Sequence, residues 1–437
     1  MSNETEIIID ENTSFSRLDT AIEWLLISLL AFMPLAFGVV HAWSEEIVII
    51  VSGAVVICFL LKLLLKRKRE ILWTWAYIPL VLFLLLVVIQ LIPFPQRLIS
   101  EVSNNTVIIK NELLNDLPDS DIILESMTLS FFPFATKHDL RLILALAGVF
   151  FVVLNEYHRP EKIKRLLKAI VIIGAFVALI SLGQNIFGNG KIYWFIENHH
   201  SKSYSGPFVN HSHYGQFMNL SIGAAIGLLF IRFHEIFRNR KITLPAVLNY
   251  LSSNSSSFIW FLIAMIGVSM ATVFLSLTRG GIISMLIAMF LTTLIFSSKS
   301  HLRSHGWIMV ATAVIAFICV LYIGFDAVYE RMATLRELNT AGEDRLRMLK
   351  DTAAAWSKFP LFGTGLGTYS VVYPMFDNTL ITAVASHAEN EYAQTAEESG
   401  LIGLCLLIVF IVIVGFSYIR NIRRMRFPVQ SVAFGLG

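Results

Sequence analysis

The chain has 437 residues, 56% of them hydrophobic and only 15% charged, with a mean hydropathy of +0.68. That balance excludes a soluble globular domain and places the protein in a lipid bilayer. The formal net charge of +3 says little by itself, because its distribution between loops carries the information; no nucleic-acid partner is expected.

The opening MSNETEIIIDENTS is acidic and lacks the basic stretch and small-residue cleavage site of a signal peptide, so the first apolar run, 21–40, is expected to persist as a helix. Further runs able to cross about 30 Å of hydrocarbon follow at 47–65, 77–92, 140–154, 166–187, 214–231, 258–277, 282–296, 307–323 and 401–419. The expected fold is an all-α integral membrane protein of about ten transmembrane helices, with a long, partly helical segment outside the membrane before the last one. Three stretches follow along the chain: a bundle over 1–323, the long segment 324–400, and the last helix with a basic tail over 401–437. After RNIRRMR the apolar FPVQSVAFGLG reads as a further hydrophobic segment begun or an interfacial stub.

Lysines and arginines alternate between loops. Lys62 to Arg69, Arg159 to Arg165, Arg232 to Lys241, Lys299 with Arg303, and Arg420 to Arg426 fall on one side, which the positive-inside rule makes cytoplasmic. The HAWSEE turn, the acidic stretch 93–139, the aromatic stretch 188–213, the hairpin around Arg279 and the segment 324–400 then face outward. Cys58, Cys319 and Cys405 lie inside apolar runs and read as small buried hydrophobes, not as disulfide or metal partners. Gln90, Gln184, Asn185, Gln216 and Asn219 lie towards helix ends or bond within the bundle. Paired repeats and ionisable groups at mid-membrane, which a transporter or flippase would carry, are not visible.

SLTRGG, Ser276 to Gly281, leaves a single arginine, Arg279, in a short hairpin on the outer face. A permanent forked cation at the lipid boundary suits a diphosphate head group, because guanidinium matches phosphate oxygens bidentately. The alternative is an arginine that merely snorkels to the interface.

The segment 324–400 is too long for a connector. Thr340-Ala-Gly-Glu343 has the form of a capping box and opens a helix expected over 341–358, with Leu346, Leu349, Ala353 and Trp356 as its buried stripe. Arg347 is expected to pair with Asp351, which leaves Arg345 free to face a site. Pro360 ends the helix, and Gly363, Gly365 and Gly367 follow; their amides approach an anion, or they form a tight turn. In ASHAENEYAQTAEESGLIGL, His387 or Glu389 is placed to accept a proton and Asn390 to orient a sugar or phosphate. The plain alternative is a polar helix entrance with Glu397 and Glu398 as solvated charges. His199, His200, His211 and His213 fit no standard metal-ligand spacing, and Asp119-Ser-Asp121 reads as a turn, so neither metal nor cofactor is expected.

SGPFVNHSHYGQFM at 205–218, SLTRGG, the Arg345 helix leading into FPLFGTGLGTY, and HAENEYAQTAEESGLIGL at 387–404 occur in one order. Together they resemble the O-antigen ligase and polymerase superfamily of bacterial envelope glycosyltransferases. The resemblance implies an inverting, metal-independent enzyme of the inner membrane. It would transfer a glycan from undecaprenyl diphosphate, on the periplasmic face, to an acceptor hydroxyl. That acceptor is lipid A–core in a ligase and another lipid-linked glycan in a polymerase; transfer to protein uses the same scaffold. It also implies that Arg279 and Arg345 hold the diphosphate and that a histidine beside the final-block asparagine serves as base or acceptor-positioning group. Here the residue before Asn390 is Glu389, and the nearest histidine is His387. Asn210 and His213 match the earlier block, where Ser212 replaces a frequent asparagine, and join the candidate substrate contacts with Asn390, Gly363 and Gly365.

Overall fold

A computed structural model of the chain describes residues 2–65, 71–116, 124–157, 159–197, 205–237, 244–276, 278–298, 314, 318, 338–378 and 385–424. Fourteen helices organise them: α1 (Ser2–Leu35), α2 (Ala42–Leu65), α3 (Tyr77–Leu91), α4 (Gln96–Val102), α5 (Asn104–Leu114), α6 (Pro133–Glu156), α7 (Pro160–Phe187), α8 (His211–Phe237), α9 (Leu244–Leu251), α10 (Ser257–Leu275), α11 (Arg279–Ser298), α12 (Leu338–Lys358), α13 (Tyr369–Val372) and α14 (Glu391–Arg424). Two antiparallel pairs of two-residue strands complete the described architecture: β1 (Phe94–Pro95) with β2 (Ser126–Met127), and β3 (Lys191–Ile192) with β4 (Ile196–Glu197). Runs such as IVIIVSGAVVIC in α2 are rich in β-branched residues that mildly disfavour helix in water. In hydrocarbon every backbone group must be satisfied within its own segment, and helix wins.

Seven helices among the described residues are long and apolar enough to cross a membrane: Arg17–Leu35, Ala42–Leu65, Pro133–Glu156, Pro160–Phe187, His211–Phe237, Asn254–Leu275 and Glu391–Arg420. They account for seven of the ten expected spans. The expected spans 77–92 and 282–296 fall on the shorter apolar helices Tyr77–Leu91 and Gly280–Thr293. The span 307–323 lies outside the described residues apart from Val314 and Ile318, as do Cys319, His199, His200, Asp119 and Asp121. Cys58 and Cys405 are free thiols, but Cys58 is half-buried and Cys405 exposed, so the expectation that they are buried is corrected.

By contacts the chain divides into two compact units, Met1–Arg69 with Val152–Leu335 and Ile422–Gly437, and Glu70–Phe151 with Arg336–Asn421. In the first, α7, α8 and α10 pack around a continuous apolar core that includes Val177, Tyr214, Phe230 and Met270. Close approach of α7 and α8 needs Gly174, where a Cβ would sit 2.6 Å from the Ser221 side chain, as expected of helices that associate through small residues in lipid. The turn after α1 is tighter than the expected helix to residue 40. Phe37, Gly38 and Val39 all take left-handed φ of 61°, 72° and 61°, and Phe208 covers the turn within 2.7 Å of where a Gly38 Cβ would be.

Lys62 is not a loop charge. It lies in the last turn of α2, fully buried, with Nζ donating to the two Glu156 oxygens at 2.6 and 2.7 Å and also contacting Asp19. Lys162 donates to Glu156 at 2.9 Å. Removing one partner of a buried ion pair strands the other. Lys62→Met is therefore expected to lower unfolding free energy by about 3 kcal/mol, with partial recovery in Lys62→Met/Glu156→Leu; equal thermal midpoints of Lys62→Met and wild type in detergent would refute this.

In the second unit α14 is broken at Gly400 (φ 67°, ψ −171°). The break leaves backbone groups on both sides without helical partners, and the loop after α12 supplies them. Thr364 N and Gly365 N donate to the carbonyls of Glu397 and Glu398 at 3.0 and 2.9 Å, while Leu401 N and Ile402 N donate to Pro360 O and Leu361 O at 2.8 and 3.3 Å. Gln90, buried in α3, donates from Nε2 to Phe362 O and Glu398 O at 2.7 and 2.9 Å and accepts from Leu366 N at 3.2 Å.

The helix expected over 341–358 runs Leu338–Lys358, but its buried face is rotated from the expected stripe. Leu346 and Ala353 are exposed, and Leu349 and Trp356 only half-buried; Asp351, Thr352, Ala355 and Phe359 point inward. Asp351 accepts from Asn378 N and Nδ2 at 3.3 and 2.9 Å rather than pairing with Arg347, and Thr352 meets the Tyr369 hydroxyl at 3.2 Å. Polar partners at Asp351 and Thr352 fix this face together with the buried Ala355.

Candidate functional site

The His387–Asn390 stretch is a turn that ends at the N-terminus of α14. Asn390 caps that helix: its Oδ1 accepts from Tyr392 N and Ala393 N, both at 3.1 Å, as an N-cap asparagine does. Glu389, immediately before it, has φ of 52°, a left-handed backbone that costs a non-glycine residue about 1 kcal/mol or more. Its carboxylate meets Arg345 of α12, Nη2 to Oε2 at 2.6 Å, with both side chains largely exposed. The structure thus brings together two residues that sequence reasoning had placed in separate roles. His387 is exposed on the same turn, while Ala388 between them is buried against Tyr369 and Tyr373.

Beneath this turn the packing is polar. Tyr369 and Tyr373 stack with ring centroids 5.0 Å apart. Burial pushes the Tyr369 phenol well above its ordinary range, and burial with the nearby Asp377 and Asp351 carboxylates pushes Tyr373 up to about 12, so both remain hydrogen-bond donors at neutral pH. Glu397 and Glu398 are 0% and 4% exposed, which corrects the reading of them as solvated charges. Glu397 Oε1 accepts from Thr364 Oγ1 at 2.8 Å, and its Oε2 has no hydrogen-bond partner among the described residues. Glu398 Oε1 accepts from Gln394 Nε2 at 3.0 Å and Tyr369 N at 3.3 Å. The overlooked signal was spacing: Gln394, Glu397 and Glu398, at i, i+3 and i+4, share one helical face.

All three glycines of the loop are sites of close approach. A Cβ on Gly363 would lie 2.4 Å from the Glu398 backbone, one on Gly365 2.6 Å from Ser130 Oγ, and one on Gly367 2.5 Å from Asp139 Oδ2, all at positive φ. The amides of Gly363 and Gly365 donate to Phe359 O at 3.1 Å and Glu398 O at 2.9 Å.

In the first unit, Asn210 likewise caps a helix, its Oδ1 accepting from Ser212 N at 2.8 Å at the start of α8. His213 is exposed on the opening turn of the same helix. The Arg279 hairpin docks beside that turn. Thr278 Oγ1 donates to His211 O at 2.9 Å, Asn219 Nδ2 donates to Gly281 O at 2.9 Å, and Gly215 faces Gly281 so closely that a Cβ on Gly215 would come within 3.3 Å of the Gly281 Cα. Arg279 is the first residue of α11.

Residues 260–408 match a family model described as O-antigen ligase. The match covers about a third of the chain and takes in the Arg279 hairpin, the Arg345 helix, the glycine loop and the final block, while 205–218 lies outside it. It supports the O-antigen ligase superfamily and, with it, a glycosyltransferase-like enzyme in a multi-pass membrane protein. No curated protein and no solved structure matches the chain.

The helix break and its docked loop hold the turn from below. Gly400→Ala puts a Cβ 2.1 Å from Leu361 O in a left-handed backbone, whereas a Cβ at Gly415 on the same helix meets nothing within 4 Å. Gly400→Ala is expected to lose at least about 2 kcal/mol of stability and most activity, and Gly415→Ala to be neutral within about 0.5 kcal/mol. Indistinguishable melting curves for the two variants would refute this role of the break.

Proposed function

We propose that the protein transfers a glycan from undecaprenyl diphosphate to an acceptor hydroxyl, with inversion and without a metal, on the periplasmic face of the bacterial inner membrane. The observation that carries the reading is the contact between Arg345 and Glu389 at the head of α14. A cation for a diphosphate and a carboxylate for a hydroxyl proton stand side by side, next to a helix N-terminus whose dipole favours negative charge.

In this reaction the acceptor oxygen attacks the anomeric carbon opposite the diphosphate. The new glycosidic bond forms as the bond from carbon to phosphate oxygen breaks, and that electron pair leaves with the undecaprenyl diphosphate. The hydroxyl proton passes to Glu389 or His387. One displacement needs one base, and the charge gathering on the leaving group is what a guanidinium stabilises. An exposed ion pair is worth no more than about 1 kcal/mol, so a diphosphate can draw Arg345 away from Glu389 and leave the carboxylate to the acceptor. Asn390, held by its Oδ1, presents its amide nitrogen on the same turn. Asn210 and His213 are further proposed substrate contacts, and the resemblance gives Arg279 the same donor role as Arg345. Gly363 and Gly365 serve this reading by fixing the loop under the turn.

Ligation onto lipid A–core is the reading favoured by the family description; chain extension differs only in the acceptor. With purified protein, undecaprenyl-diphosphate-linked glycan and lipid A–core, a single capped product is expected, and a ladder of longer glycans would show polymerisation instead. Arg345→Ala and Arg279→Ala are each expected to cut turnover at least a hundredfold, about 3 kcal/mol of transition-state stabilisation, with membrane insertion unchanged. Wild-type turnover in either variant removes that arginine from the donor site. For the base, Glu389→Gln and His387→Ala are compared: the larger loss of kcat identifies it, and two unaffected variants overturn the assignment.

A further inference from the structure

We infer that Gln394 is the positioning residue that aims Glu389, an inference that rests on reading Glu389 as the base. Glu389 sits in a left-handed backbone between two pinned neighbours. On one side Asn390 is fixed by its capping bonds to Tyr392 N and Ala393 N. On the other, Ala388 N donates to Gln394 Oε1 at 3.2 Å, and the Ala388 side chain is buried against Tyr369 and Tyr373.

Gln394 is itself oriented from one helical turn below. Its Nε2 donates at 3.0 Å to Glu398 Oε1, an oxygen that also accepts Tyr369 N at 3.3 Å. An acceptor oxygen there selects the amino end of the carboxamide, so the carbonyl end must face back towards Ala388. The chain Glu398 to Gln394 to Ala388 therefore ties the turn to the buried part of α14. With both flanking peptides held, the strained residue between them keeps its side chain directed outward to the Arg345 guanidinium. A helix that needed only a cap would be satisfied by Asn390. The backward reach of Gln394 adds nothing to the cap and acts only on the turn.

The test uses the full-length protein in detergent or nanodiscs, with undecaprenyl-diphosphate-linked glycan as donor and release of undecaprenyl diphosphate as the readout. Gln394→Met keeps the length of the side chain and removes both of its hydrogen bonds. We expect kcat to fall at least tenfold with the donor KM within twofold of wild type. In a Glu389→Gln background, the same substitution is expected to change the residual rate less than twofold, because a residue that acts through Glu389 has nothing left to aim. Gln394→Asn, which keeps the carboxamide but falls one methylene short, should give the same pattern and serves if the methionine variant does not insert. Full kcat in Gln394→Met, or the same fractional loss with and without Glu389, overturns the inference while leaving the base assignment standing. Full turnover in Glu389→Gln alone overturns both.

Discussion

A helix that breaks within a membrane protein must find new partners for its freed backbone groups, because lipid offers none. In α14 the break at Gly400 is answered by one segment, residues 360–365, which takes the N–H groups of Leu401 and Ile402 and supplies N–H groups to the carbonyls of Glu397 and Glu398. Gln90 completes the exchange from α3. The arrangement tolerates no side chain at Gly363 or Gly400, so the glycines serve backbone-to-backbone docking. It turns residues 391–399 into a separate helical piece whose start carries the turn with His387, Glu389 and Asn390. The geometry of the candidate site is thus inherited from the repair of a broken helix.

Most of the architecture was legible because lipid makes the code simple: long apolar runs become helices whatever their β propensity. The misreadings share one physical origin. Lys62 counts among the loop cations by sequence, and Glu397 and Glu398 read equally well as solvated charges, yet each is buried, because its partner comes from far along the chain or from backbone that hydropathy does not register. The buried face of α12 was misassigned for the same reason. In a chain where apolar residues also face lipid, a half-buried helix is oriented by its polar contacts, and Leu346 can be exposed while Thr352 is not. Helix ends were equally hard to place: the left-handed turn at Phe37–Val39 contains two residues that rarely adopt that conformation.

The sequence names candidate residues for the site but not their geometry. The order of the motif blocks pointed to Arg345, Glu389 and Asn390; it did not reveal that the first two touch, nor that Asn390 and Asn210 each cap a helix. Those bonds change what the residues are proposed to do. With Arg345 resting on the proposed base, the proposed mechanism couples donor capture to base release through competition of a diphosphate for the guanidinium. On the same proposal Gln394, which no motif singles out, steadies Glu389 through its bond to Ala388 N.

The central claim is that the guanidinium at Arg345 receives a polyprenyl diphosphate. Titrating purified protein with undecaprenyl diphosphate while following its thermal midpoint tests this most directly, because a ligand that binds only the folded state raises that midpoint in a saturable way. A saturable rise in wild type that is lost in Arg345→Ala and is not produced by undecaprenol is the predicted result. An equal rise in the variant, or with the uncharged alcohol, would contradict it.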